Sequence, residues 1–160
     1  MTGTGSIELT RALLGPVSLP TPAGIVSRQV DATTGHLWHW QGDGNPLLSL
    51  LVGVRSTRLG TPTGPERALG PAIAELSDRV DQVIEVRRPV EVAVEGALGS
   101  SAAVVTAVLG GREARIALVL STDGTWMHRV EIAVLDTDEG RAAQEQILGA
   151  IRVHPWERPA

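Results

Sequence analysis

Three features of this 160-residue chain predict an α+β domain in which two amphipathic helices cover an antiparallel sheet of about six to seven strands. The first is the alternation in Val90-Glu91-Val92-Ala93-Val94-Glu95, which the two-residue period of a strand sends to opposite faces. The second is a series of apolar runs, Ala102 to Leu109, Ala114 to Ser121 and Trp126 to Leu135. Their joints, Gly110-Gly111-Arg112-Glu113 and Ser121-Thr122-Asp123-Gly124, are short enough for antiparallel hairpins, so Gln82 to Leu135 reads as a meander. The third is a pair of apolar stripes at helical spacing, one on each side of that meander.

Taken in order, Thr2 to Ser6 is small, polar and glycine-rich, and residues 1–6 are expected to fray. Ile7 to Leu14 fits either a short strand or a helical turn. In Gly15-Pro16 and Leu19-Pro20-Thr21-Pro22-Ala23-Gly24 the proline spacing argues against a helix and a central strand, leaving an extended loop. Ile25 to Asp31 and Gly35 to Gln41 flank Ala32-Thr33-Thr34 as a first hairpin. Gln41-Gly42-Asp43-Gly44-Asn45-Pro46 is a dense turn, and Leu47 to Arg55 reads as a buried strand.

A loop from Arg55 to Pro65 leads into the first helix. Pro65 suits a first helical position, and Leu69, Ile73, Leu76 and Val80 form its stripe. Pro71 removes a donor inside it, so the helix kinks there or starts at Gly70-Pro71. Asp136-Thr137-Asp138-Glu139 has capping-box spacing, opening a second helix from about Thr137 to Arg152 whose stripe is Ala143, Ile147, Ala150 and Ile151. His154-Pro155 stops it, and residues 156–160 form a loose tail.

Composition excludes several functions. The chain has no cysteine, so disulfides, thiol nucleophiles and thiolate metal sites are ruled out. All 14 basic residues are arginine, and Phe and Tyr are missing. This reflects GC-rich coding and carries no functional weight. A formal charge of −4 with scattered arginines argues against nucleic-acid binding. No window reaches the roughly 18 apolar residues of a spanning helix, and residues 1–6 lack a signal-peptide pattern, so the expected location is cytoplasmic.

Few residues stand in a pattern that chemistry requires. His36 and His39 differ by an odd number of strand positions and cannot chelate one ion from one face. His128 shares the apolar face of Trp126, Val130, Ile132 and Val134, where a histidine is usually a satisfied core residue. No metal and no cofactor are assigned. There is no Gly-x-Ser-x-Gly, and Ser100 and Ser101 read as turn residues between strands. Glu91 and Glu95 share the polar face of a strand, and Asp136, Asp138 and Glu139 favour a helix N-terminus. Without lysine, a P-loop and a Schiff base are impossible. Gly42-Asp43-Gly44-Asn45 lacks the closing glutamate of a calcium loop. Trp38 and Trp40 project from one face of a strand together with His36, either as core fillers or as anchors of a binding surface.

The proline-rich opening Leu19 to Gly24, the helix at about Gly64 to Val80, the meander and a closing helix ending Gln146-Ile147-Leu148-Gly149-Ala150-Ile151-Arg152-Val153 follow an order similar to the Mog1/PsbP-like group, including its DcrB-type bacterial domains. Where the group often places an aromatic after Pro-x-Gly, this chain has Ile25. The resemblance spans nearly the whole chain and implies an α/β/α sandwich with a non-enzymatic binding role. Members bind a small GTPase or a photosystem complex, or serve secretion systems. No partner-binding motif matches residue by residue.

The expectation is a single domain over 1–160, a non-enzymatic protein-binding or accessory domain, adaptor- or chaperone-like, using Trp38, Trp40, His36 and His128. The alternative is a small-molecule or hydrolytic pocket between sheet and helices, with His128 and a carboxylate or Ser100 as its polar groups. Homodimerisation through an exposed strand edge is compatible with both.

Overall fold

Apolar side chains that alternate along several strands need cover on two sheet faces, and the fold supplies it. The computed structural model describes residues 9–14, 16–22, 26–31, 35–41, 49–61 and 63–154, with the side chains of 16–20, 52–61 and 63–154. Its elements are β1 (Leu9–Leu14), β2 (Val17–Pro22), β3 (Val26–Asp31), β4 (Gly35–Gln41), β5 (Ser49–Arg58), α1 (Pro65–Arg79), β6 (Gln82–Val90), β7 (Gly99–Leu109), β8 (Arg112–Thr122), β9 (Trp126–Leu135), α2 (Asp138–Leu148) and β10 (Arg152–Val153).

Seven strands form one antiparallel sheet in the order β3-β4-β5-β9-β8-β7-β6. One face carries Ala103, Val105, Ala107, Ile116, Leu118 and Met127 against Leu69, Ala72, Ile73 and Leu76 of α1. The opposite face carries Val52, Val54, Ala102, Val104, Ala117, Val119, Val130, Ile132 and Val134. It packs against Ala143, Ile147 and Leu148 of α2 and against Val17, Leu19, Ile151 and Val153 of a small sheet, order β1-β2-β10. The predicted sheet-and-helix sandwich is therefore present, with the helices on opposite faces. Fully burying one side chain such as Ile147 contributes about 1.5–3 kcal/mol.

Several boundaries differ from the sequence reading. Val90 to Glu95 is not the first strand of the meander. The ladder against β7 runs over Gln82–Val90, with register shifts between Val83 and Glu85 and between Arg87 and Val90. Val94 is buried and Val92 partly so, so the alternation is real, but this stretch crosses to the small sheet, where Glu95 bridges Arg152. Gly96 has φ +86°, and a Cβ there would collide with the Val153 carbonyl oxygen, so only glycine allows this approach.

The proline-rich segment is also not a loop. It is β2, the middle strand of the small sheet, because its ladder with β10 ends at Ser18 and leaves Pro20 and Pro22 with a neighbour on the β1 side alone. Ser100 and Ser101 lie within β7 and are not turn residues.

α1 starts at Pro65 and contains Pro71, which is exposed. α2 is shorter than expected, ending at Leu148 with Gly149 as its cap. Its N-cap is Thr137, whose Oγ1 accepts from the Gly140 amide at 3.0 Å, so the expected capping box of Asp136 and Glu139 does not form. A side chain on Gly140 would meet the Leu135 carbonyl. Asp136 instead accepts from Arg141 at 2.8 Å, which holds its carboxyl below the usual aspartate range.

Candidate functional site

The predicted site residues divide into two groups. His36, Trp38 and Trp40 lie on β4, opposite Val54, Val52 and Leu50 in the ladder, and by register share the sheet face covered by α2. Their side chains lie outside the described residues, as do the turn Gly42 to Pro46, the Ala32-Thr33-Thr34 joint, the N-terminal stretch 1–6 and the tail with Trp156. His128 lies on the same face in β9, two strands away from β4, and is entirely buried. Trp126 is half-buried.

A polar row crosses the sheet at His128. Ser56 on β5, His128 on β9, Ser121 on β8 and Ser100 on β7 stand side by side in register. Ser56 Oγ lies 2.8 Å from His128 Nδ1, and His128 Nε2 lies 3.3 Å from Asp123 Oδ2. Burial pushes the His128 pKa down, against the opposing pull of Asp123, so the ring is neutral near pH 7. Asp123 is ionised: burial raises its pKa, but donors from the Trp126 and Thr125 amides and from His128 outweigh this and leave it lowered.

An ionised carboxylate only accepts, so Nε2–H donates to Asp123, Nδ1 is the acceptor and the Ser56 hydroxyl donates to it. The order serine, histidine, aspartate is that of a nucleophilic triad, with the two ring nitrogens exchanged. Ser56 and His128 nevertheless have 4% and 0% exposure, and neither lines the cleft between α2 and residues 90–93. The row ties the β8–β9 hairpin to β5. The Ser121 hydroxyl beside it is buried without a hydrogen-bond partner among the described residues, and Ser100 donates to the Val92 carbonyl at 3.0 Å.

Near the opposite edge of the same face is an open cleft of about 370 Å³ between α2 and residues 90–93. Val90, Val92, Val104 and Leu148 supply its apolar surface, and Arg87, Arg115, Glu91 and Glu145 its charge. Glu91 therefore lines a cleft, and Glu95 pairs with Arg152 at 2.7 Å; the two do not form the polar face of one strand. Arg115 is held by Gln144 of α2, which is wholly buried.

Neither Arg115 nor Gln144 stands out in the sequence as a site residue, although both carry a signal. Arg115 keeps step with Ala117 and Val119, and Gln144 sits four residues before Leu148 on the apolar side of its helix. Among the described residues no group of three metal-ligating side chains occurs, and no helix is long and apolar enough to cross a membrane.

No family model matches the chain, and no curated protein does either. Among solved structures the chain is similar to LpqN of Mycobacterium tuberculosis, described as involved in cell envelope biogenesis, with TM-score 0.62 and 15% identity over 94% of this chain and 93% of that one. It is also similar to PA94 of Pseudomonas aeruginosa, a protein of unknown function and putative regulator, with TM-score 0.54 and 10% identity over 95% of this chain and 99% of that one. At these identities the likeness is one of fold, the whole sandwich being shared from end to end.

Proposed function

We propose that the chain is a non-enzymatic protein-binding or accessory domain, adaptor- or chaperone-like, that takes a polypeptide segment of its partner in the cleft between α2 and residues 90–93. The wall of the cleft carries this reading. Glu91, Val92 and Ala93 lie outside any ladder, and among the described residues their main-chain N–H groups donate no hydrogen bond. Free main-chain donors beside an apolar floor suit a peptide, which brings carbonyls for the one and side chains for the other. Trp38, Trp40 and His36 belong to β4, toward the other edge of the sheet, and are proposed as a second contact separate from the cleft.

Affinity capture with the full chain, followed by titration of each purified partner, tests the proposal. Ala93 is exposed and lines the cleft, so Ala93→Trp is expected to block it and weaken binding roughly tenfold or more with the fold retained. The double variant Trp38→Ala/Trp40→Ala reports on the β4 end. A partner that binds all three proteins alike overturns the assignment of the surface.

A hydrolytic reading has one observation in its favour, the Ser56–His128–Asp123 order. Labelling of Ser56 by a fluorophosphonate would support it, and enclosure of the row predicts none. Self-association through β6 is disfavoured, because Glu85, Arg87, Arg88, Pro89 and two register shifts protect that edge. Light scattering over a concentration series tests self-association through any edge.

A further inference from the structure

We infer that Arg115 is the anchor of the cleft and that it receives a carboxylate, the side chain of an aspartate or glutamate in the partner polypeptide. The inference rests on reading the cleft as a polypeptide site. Gln144 is a polar side chain with 0% exposure on a helix face turned to a sheet, which calls for a full set of partners. Its Nε2 donates to the carbonyls of Arg115 and Ile132 at 2.9 and 2.8 Å. These two bonds turn its Oε1 toward Arg115, whose Nε donates to it at 2.8 Å.

The guanidinium is thus held by Nε alone. Its two terminal nitrogens make no hydrogen bond and no ion pair among the described residues, while the side chain lines the cleft. A planar fork fixed by its Nε before a ligand arrives loses little freedom on binding, and its remaining edge matches the two oxygens of a carboxylate.

The surrounding charge narrows the occupant. Arg87 and Arg115 share one apolar floor with Glu91 and Glu145, and the Asp136 carboxylate also interacts with the Arg115 charge, so positive side chains are not in excess. A polyanion such as nucleic acid meets as much repulsion as attraction there. A segment carrying one acidic residue for Arg115, an apolar residue for Val104 and Leu148 and a basic residue for the glutamates is complementary at each point.

The test is selection of random nine-residue peptides displayed on phage against the full chain, with parallel selections on Ala93→Trp, Arg115→Gln and Arg115→Lys. Wild type is expected to enrich aspartate or glutamate at one position beside an apolar one. Arg115→Gln is expected to keep the apolar preference, lose the acidic one and bind the wild-type peptides roughly ten- to a hundredfold more weakly. Arg115→Lys, which keeps the charge but not the fork, is expected to fall between the two. Thermal melting checks that each variant is folded.

Peptides that depend on the cleft but show no acidic position, or that bind Arg115→Gln as tightly as wild type, would overturn the role of Arg115 and leave the polypeptide reading standing. Peptides that are not enriched at all, or that bind Ala93→Trp unchanged, would overturn both.

Discussion

Two polar groups sit on the same face of the seven-stranded sheet and have opposite characters. Around His128 the hydrogen-bonding capacity is spent inside the protein: Ser56 donates to the ring, the ring donates to Asp123, and solvent does not reach the histidine. Around Arg115 a buried glutamine takes up one edge of the guanidinium and leaves the other at an open cleft. By residue type the histidine group resembles a catalytic centre and the arginine group an ordinary surface. Access reverses that impression, because chemistry on a substrate requires that the substrate touch the group.

If the contrast holds, variants of the histidine group change stability and leave binding alone, and variants at the mouth of the arginine cleft do the reverse. The largest effect is expected from His128→Ala, which leaves Asp123 and Ser56 without the ring and opens a cavity. Urea unfolding should report a loss of about 3 kcal/mol. A variant as stable as wild type would remove the structural role of the row. Gln144→Leu should come next, at about 2 kcal/mol, because it takes the donor from the Arg115 and Ile132 carbonyls. It also frees Arg115, so it is the one buried change expected to weaken peptide binding.

The pH dependence is smaller and has a definite sign. His128 has a lowered pKa in the folded protein, so between that value and the ordinary 6.5 the unfolded chain binds the proton and the folded one does not. Its contribution is complete above about pH 6.5 and is lost as pH falls toward the folded value. Urea midpoints measured from pH 7.5 to 5.5 should decline in wild type and decline less in His128→Asn. Equal slopes would mean that the ring is not held neutral.

The smallest effect belongs to the charged network on the α1 face. Arg129 donates to Glu75 and Glu131 at 2.7 Å each, and its bond to Glu75 holds that carboxyl below the usual range. Glu75 is half exposed, so Glu75→Ala should cost no more than about 1 kcal/mol, and less in high salt.

Sheet, helices and core were legible because they depend on periodicity. Trp126 to Leu135 matches β9 residue for residue, and Leu69, Ile73 and Leu76 are buried as their spacing requires. The burial of His128 was legible too, since its strand neighbours are apolar. The hairpin partners β3–β4, β7–β8 and β8–β9 were legible as well, and hidden in the sequence was how strands not joined by a short turn find theirs. Val90 to Glu95 alternates like a ladder strand, yet it crosses to a small sheet completed by β10, two residues that read as helix. Pro20 and Pro22 looked incompatible with a middle strand until the shortness of β10 left them unpaired on that side.

The sequence by itself determined which faces are oily and therefore that a sheet must lie between helices, because burial follows the two- and 3.6-residue periods of the backbone. Only tertiary structure decided which groups satisfy His128 inside the protein and that Arg115 meets an opening. Those fates depend on residues distant along the chain, Ser56 in one case and Gln144 in the other. Hydrogen bonds between such residues arise from packing, which no local pattern encodes.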